Sequence, residues 1–102
     1  MEQVPDVLKA AAKAYKLLME NERVRVLDIR LNPGEKAPMH NHPSDHVVYV
    51  MNDAKLKLTF PDGKSGEFDL KAGQAIWMEA GPHATENIGT SAGHNLVVEL
   101  KR

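Results

Sequence analysis

The feature that most limits the fold of this chain is a series of short apolar runs separated by turns. In residues 55–60, apolar side chains alternate with Lys and Thr, and similar runs recur roughly every 8 to 12 residues. Turn-forming sequences such as Asn32-Pro33-Gly34 and Pro61-Asp62-Gly63 stand between the runs. The pattern predicts an all-β protein, either a sandwich or a barrel.

The first residues do not follow this pattern. Residues 5–14 include four alanines, and Pro5 suits the first turn of a helix. A strand is predicted to follow from Tyr15 to Glu20. We therefore expect a short N-terminal helix or coil in residues 1–14 and a β-barrel in residues 15–102, with one hydrophobic core for a chain of 102 residues.

Residues 23–31 are strand-like, but their apolar side chains change phase. Val24 and Val26 occupy one face, whereas Leu27, Ile29 and Leu31 occupy the other. Either a β-bulge shifts the strand, or both faces are covered, one by the core and one by a partner subunit. The arginines of the segment are predicted to form an exposed or edge face without a function: Arg23, Arg25 and Arg30.

Charge and composition exclude several classes of partner. The formal net charge is −1, with no sequence-wide excess of Lys and Arg, so we expect neither nucleic acid nor a membrane surface as a partner. No cysteine is present, which excludes disulfides and thiolate ligands. Charged residues interrupt the N-terminal segment too often for a signal peptide or a transmembrane helix, and a cytoplasmic location is expected.

Three of the five histidines fall within seven residues, at His40, His42 and His46. In an extended segment, side chains two residues apart point to the same face, so His40 and His42 would project together, about 6 to 7 Å apart. Neutral imidazole is a common ligand for transition metals. The pair therefore predicts two ligands of a metal site that needs a third group from elsewhere.

The spacing of glycines and histidines resembles the two motifs of the cupin family over about residues 15–101. The first motif matches at Gly34, His40 and His42. The second motif matches at Gly73, Gly81, His83 and Asn87. The chain departs from the family pattern at three motif positions, with a histidine, an aspartate and a glutamate in place of Glu, Gly and Pro: His46, Asp53 and Glu79.

The resemblance implies a jelly-roll barrel, or double-stranded β-helix, with a metal held by His40, His42 and His83. His46 stands where the family has a glutamate ligand, so it is predicted to be a fourth ligand. The alternatives are that it holds a bound water or substrate, or that it is not a ligand. Asp45 is expected to point away from the metal, because strand alternation places it on the opposite face.

An all-nitrogen donor set favours iron, nickel, copper or zinc as the divalent cofactor. Without the carboxylate ligand, such a site keeps a charge of about +2, which favours anionic or enolisable oxygen donors as substrates. Glu79 is a candidate general base at the cavity mouth, although a solvated turn carboxylate is the simpler interpretation. His94 is expected to be a surface residue, and Trp77 to line the pocket or to pack in the core.

Two functions are compatible with these features. The first is a metal-dependent enzyme, such as a dioxygenase, isomerase or lyase, that acts on a small enolisable or dicarbonyl-type substrate and can use oxygen. The second is a non-catalytic module that binds a small molecule or a metal. The resemblance to small cupins also implies a homodimer, with Tyr49 and Met51 as packing or interface residues.

Overall fold

The structure is a computed structural model that describes residues 4–101. One short helix precedes nine strands. In chain order they are α1 (Val7–Ala10), β1 (Tyr15–Glu20), β2 (Val24–Leu31), β3 (Lys36–His42), β4 (His46–Val50), β5 (Ala54–Thr59), β6 (Ser65–Leu70), β7 (Ala75–Met78), β8 (Gly81–Asn87) and β9 (Gly93–Leu100).

The strands form two antiparallel sheets that share their core side chains. The five-stranded sheet has the order β1-β2-β9-β4-β7, and the four-stranded sheet has the order β3-β8-β5-β6. One core cluster joins Leu27 and Val97 of the first sheet to Ala37 of the second, and another joins Val50 to Leu56. The predicted all-β jelly-roll architecture is confirmed.

Within the segment predicted as helix or coil, the helix covers Val7–Ala10. Asp6 caps its first turn by accepting a hydrogen bond from the Leu8 amide at 3.1 Å. Val7 and Ala11 are 0% and 2% exposed and belong to the larger core cluster. Because a helix of one turn is unstable by itself, packing of these side chains in the core stabilises the segment. Within residues 4–101, no helix has the length and apolar character needed to cross a membrane.

The phase change in β2 is not caused by a bulge between β2 and β9. Their register runs without a shift from Val24 opposite Leu100 to Leu31 opposite Gly93. The irregularity lies instead in the pairing of β1 with β2, between Leu17 and Met19 of β1. The inward face of β2 therefore begins with a charged residue and continues with apolar ones.

That charged residue is Arg25, and the prediction that it lies on an exposed face without a function is wrong. Its side chain is 12% exposed. Alternation places it on the same face as Leu27 and Ile29, directly opposite Glu99 of β9. An inward arginine is tolerated here because its guanidinium forms salt bridges with the carboxylates of Asp6 and Glu99.

Two motif glycines lie in turns: Gly34 precedes β3, which carries His40 and His42, and Gly73 precedes β7. Gly34 and Gly73 have φ values of 85° and 93°, a left-handed conformation that glycine adopts without steric cost. The Gly34 amide donates to the Asn87 carbonyl at 2.9 Å, and the Asn87 amide donates to the Glu35 carbonyl at 3.0 Å. The turn before β3 is thereby fixed to the end of β8.

Candidate metal centre

Four of the predicted site residues form one buried cluster. The register of β3 and β8 places His40 directly opposite His83, and alternation puts His42 on the same inner face. Their exposures are 0%, 6% and 1%, and His46 at the start of β4 is 1% exposed. One ligand nitrogen from each of His40, His42 and His83 lies within 4.8 Å of the other two.

Hydrogen bonds fix the orientation of three of the four rings. The Nδ1–H group of His40 donates to the Pro38 carbonyl at 2.7 Å, and that of His46 donates to the Ser44 carbonyl at 3.0 Å. The Nδ1–H group of His42 donates to a carboxylate oxygen at 2.9 Å. Each ring is thereby held in the tautomer that leaves its Nε2 lone pair free.

The free nitrogens converge at a distance that suits a metal ion. Nε2 of His40 lies 3.2 Å from Nε2 of His42. Because both Nδ1 atoms carry the ring protons, this contact joins two lone pairs, which repel unless a cation lies between them. Two nitrogens bound to one ion at about 2.1 Å are about 3.0 to 3.4 Å apart. The residues present therefore fit a divalent transition metal.

His46 is placed beside this group rather than in it. Its ring stacks on that of His42, with centroids 4.3 Å apart and an interplanar angle of 26°. The three-residue group with converging nitrogens, as found among the described residues, consists of His40, His42 and His83. Direct ligation by His46 stays a prediction.

The carboxylate behind His42 belongs to Glu99, which the sequence interpretation missed. Glu99 is 1% exposed, and its second oxygen accepts a hydrogen bond from Arg25 Nε at 2.6 Å. Arg25 in turn donates to both carboxylate oxygens of Asp6, at 3.2 and 3.0 Å. A chain of charge-assisted hydrogen bonds therefore runs from the N-terminal cap to the histidine cluster.

This chain of contacts changes the expected electrostatics of the site. Asp6 and Glu99 contribute two negative charges and Arg25 one positive charge, so the set carries about −1 next to the imidazoles. Burial alone would raise the pKa of Glu99, but the hydrogen bonds from His42 and Arg25 outweigh it and lower that pKa. A negative charge therefore lies behind His42, in addition to the neutral ligands predicted from the sequence.

Burial keeps the imidazoles of His40 and His83 neutral. It lowers the pKa of His40 to about 4, and burial together with the neighbouring imidazoles lowers the pKa of His83 to about 3. Both rings are consequently unprotonated at neutral pH, which is the form that binds a metal.

A small apolar cavity of about 90 Å³ adjoins the cluster. His42, His46 and His83 line one part of it, and Tyr15 approaches the rings of His40 and His42 edge-on, with centroids 5.3 and 5.8 Å away. The remaining lining is mainly apolar: Ile29, Val48, Leu56, Leu58, Phe68, Leu70, Ile76, Met78 and Val97. The cavity has room for on the order of three to six water-sized groups.

The sequence did contain a signal for Glu99. Asn95, Val97 and Glu99 share one parity of β9, and all three are buried. A carboxylate on the apolar face of a strand needs a partner, because an unpaired buried charge is very unfavourable. Tyr15 was assigned only to a strand, and nothing in its local sequence indicates that it faces the histidines.

Glu79 is exposed and lines a surface groove next to His83. Asp45 does not join the cluster, because its Oδ1 accepts a hydrogen bond from the Ala80 amide at 2.8 Å and so fixes the turn before β8. His94 also lies apart from the cluster, with its Nε2 2.7 Å from an oxygen of Asp28. It is 18% exposed, so it is less accessible than a surface residue.

Trp77 neither lines the central cavity nor packs in the core. The inward residues of β7 are Ile76 and Met78, which line the cavity, so Trp77 between them points outward and is 55% exposed. Tyr49 and Met51 are likewise 45% and 41% exposed. The exposure of Tyr49 and Met51 agrees with their predicted orientation away from His46.

The family of the chain follows from comparison with known proteins. The family model described as a cupin domain matches residues 27–99. The chain belongs to the cupin family. Beta-alanine degradation protein BauB of Pseudomonas aeruginosa is 33% identical to this cupin over 79 residues, which are 78% of this chain and 80% of BauB.

Solved structures of other cupins show the same fold. A cupin domain from Bordetella pertussis Tohama I has a TM-score of 0.80 and 26% identity, with 100% of both chains covered. The polyketide cyclase RemF of Streptomyces resistomycificus has a TM-score of 0.62 and 23% identity, with 86% of this cupin and 64% of RemF covered. RemF is similar in fold alone.

Proposed function

We propose that this cupin is a metal-dependent enzyme that acts on a small enolisable or dicarbonyl-type substrate. The observation that carries the proposal is the convergence of the Nε2 atoms of His40 and His42, 3.2 Å apart, beside His83. The same histidine cluster borders a mainly apolar cavity. Enzyme sites commonly combine such a cavity with a few polar groups that converge on it.

Iron, nickel, copper and zinc are the metals that this donor set favours. A divalent ion bound there supplies a Lewis acid that polarises a carbonyl oxygen and acidifies a bound water. The protein's own contribution is to keep His40 and His83 neutral, to orient His40 and His42 by hydrogen bonds, and to surround the reacting atoms with apolar side chains that exclude water.

Two further side chains are candidates to act on a bound substrate. Burial and the nearby Glu99 carboxylate raise the pKa of Tyr15, so its phenol stays protonated and can donate a hydrogen bond beside the histidines. Glu79 lines the groove next to His83 and is our candidate for the group that removes a proton from an enolisable carbon.

The names of two relatives are consistent with this substrate class. BauB is named for the degradation of β-alanine, a 3-amino acid. Replacement of the amino group of a 3-amino acid by a carbonyl gives a 3-oxo acid, which is small and enolisable. RemF is named as a polyketide cyclase, so a protein of this fold supports an enzyme activity.

A non-catalytic binding module is the alternative, and one observation favours it. Among the described residues, Glu99 is the only buried carboxylate, and hydrogen bonds to His42 and Arg25 already occupy it. Glu79 is solvent-exposed. A site without a buried base is better suited to holding a ligand than to removing a proton from it.

Turnover by the native protein separates the two functions, and Glu79→Gln tests the proposed base. Protein purified without a histidine tag is first assayed for bound metal, and the iron-loaded form is then tested for oxygen uptake and substrate loss with 1,3-dicarbonyls and 3-oxo acids. If Glu79 is the base, turnover falls about 10²- to 10⁴-fold in the variant while metal content is unchanged.

Glu67→Gln is the matched control, because Glu67 is also exposed but lies on β6, where it pairs with Lys57 in the sheet register. Full activity of Glu79→Gln would remove Glu79 from the mechanism. Metal binding without turnover of any compound in the panel would favour the binding module.

A homodimer is also proposed, through the outer face of the five-stranded sheet. The sheet register aligns one apolar residue from each of its strands in a continuous row: Met19, Val26, Val98, Val47 and Trp77. Tyr49 extends this surface and is 45% exposed. A contiguous apolar face is typical of an interface, and the same face on a second copy is a matching partner.

Val98→Lys tests this interface, because it places a charge at the centre of the row. We expect a dimeric mass for the native protein and a monomeric mass for the variant by sedimentation at micromolar concentration. Thr59→Lys on the four-stranded sheet is the control and should remain dimeric. A monomeric native protein would contradict the proposed dimer.

The cytoplasmic location stays a prediction.

A further inference from the structure

Two buried asparagines of this cupin differ in how their side chains are satisfied. The side-chain amide of Asn87 donates through Nδ2 to the carbonyls of Leu31 and Ser91, and its Oδ1 accepts from the backbone amide of Gly89, each at 2.9 Å. Asn95 is 4% exposed, and no group within the described residues donates to its buried Oδ1. Buried polar atoms are nearly always paired, so an unpaired one requires an explanation.

Asn95 lines the same cavity as the histidines but lies towards its other end. On β9, Glu99 is opposite His46 and Asn95 is opposite Val50. These two register positions are four residues apart, which is about 13 Å along a strand. The Asn95 side chain therefore lies far from the converging histidine nitrogens, with mainly apolar lining residues between them.

We propose that Asn95 is the residue that selects the substrate, by accepting a hydrogen bond from a donor at the end of the ligand remote from the metal. The ligand class is a small acid or ketone whose oxygen binds the metal, with a short apolar body and a terminal hydroxyl, enol or amino group. Apart from the histidines, Tyr15 and Thr85, the other lining residues are apolar and would favour a methyl group over a hydroxyl, whereas an unpaired acceptor among them reverses that preference.

This inference rests on the proposed metal-dependent function. Matched pairs of probes distinguish a failure of the inference about Asn95 from a failure of the proposed function. The probes are ω-hydroxyalkanoates of three to six carbons, each paired with the alkanoate in which a methyl group replaces the hydroxyl. Affinity for the zinc-loaded protein is measured by calorimetry. At the chain length that spans the cavity, we expect the hydroxy acid to bind at least about tenfold more tightly than its partner.

Asn95→Leu and Asn95→Ala both remove the acceptor, the first by filling space and the second by enlarging the cavity. We expect the preference for the hydroxy acid to disappear in both variants. If the leucine side chain prevents both acids from binding, the Asn95→Ala variant alone tests whether the hydroxyl preference depends on Asn95. A readout without metal is also available: the metal-free Asn95→Leu protein should melt at a higher temperature than the native protein, whereas Asn87→Leu should melt at a lower one.

Equal binding of the two acids at every chain length would overturn the role of Asn95 and leave the metal site standing. An unchanged hydroxyl preference in Asn95→Ala would also overturn it. Failure of every acid to bind the zinc-loaded protein would overturn this inference and the proposed function together.

Discussion

Replacement of His83 by alanine is expected to lower the affinity for a divalent transition metal by about 10²- to 10³-fold. Four-ligand zinc sites have binding free energies of about 10 to 16 kcal/mol, so one ligand accounts for roughly 3 kcal/mol. His83 lies opposite His40 and is 6% exposed, so no other side chain of the cluster can move into its place without rearranging the sheet. Elemental analysis and competition with a chelator measure the loss.

His94→Ala is the matched control, because this histidine lies outside the cluster and contacts Asp28. It should retain the native metal content. A His83→Ala protein that binds metal as tightly as the native one would refute the proposed centre.

The same assay resolves the role of His46. Its ring stacks on His42, and its Nδ1 is held by the Ser44 carbonyl, so both direct ligation and an outer role are compatible with its orientation. A loss in His46→Ala equal to that in His83→Ala identifies a fourth ligand. A loss of about tenfold or less identifies a residue that supports the ligands from outside.

Arg25→Met is expected to destabilise the fold by about 3 to 5 kcal/mol. The substitution leaves the Glu99 carboxylate, which is 1% exposed, without its 2.6 Å hydrogen bond to a guanidinium. Removing one partner of a buried ion pair is strongly destabilising, because the other charge remains buried and uncompensated. Chemical unfolding of the metal-free protein, monitored by the fluorescence of Trp77, measures the change.

Two further variants make this prediction specific. Arg25→Met combined with Glu99→Gln removes both charges while keeping an acceptor for the Nδ1–H group of His42, and it should recover much of the lost stability. Arg30→Met is the control, because Arg30 pairs with Asp28 but is 72% exposed, and it should change the stability by less than about 0.5 kcal/mol. A loss below about 1 kcal/mol in Arg25→Met would show that the buried pair contributes little.

Local sequence patterns were sufficient for the strands and for the ligand candidates. Alternation in residues 55–60 predicts β5, and the motif spacing identifies His40, His42 and His83 as residues that converge. For residues 5–14 the sequence left helix or coil open, because propensity favours the alanines locally whereas packing of Val7 and Ala11 in the core accompanies a helix that covers only Val7–Ala10.

The network around Glu99 could not be predicted in the same way. Arg25 was assigned to an exposed face because its neighbours Val24 and Val26 are apolar, yet those valines lie on the outer face and Arg25 points inward. The mistake was one of strand phase, and the correct phase depends on the pairing of β2 with β9.

The sequence by itself determined which residues form strands and that His40 and His42 project together, because both follow from short-range spacing, whereas the resemblance to cupins added His83. Only the tertiary structure decided that Glu99 contacts His42, and that Asn95, whose side-chain oxygen is unpaired among the described residues, lines the same cavity. Arg25 and Glu99 are 74 residues apart and become neighbours through the order β1-β2-β9-β4-β7. Alternation along a strand fixes the face on which a side chain lies, but the group across the core is fixed by the packing of the two sheets.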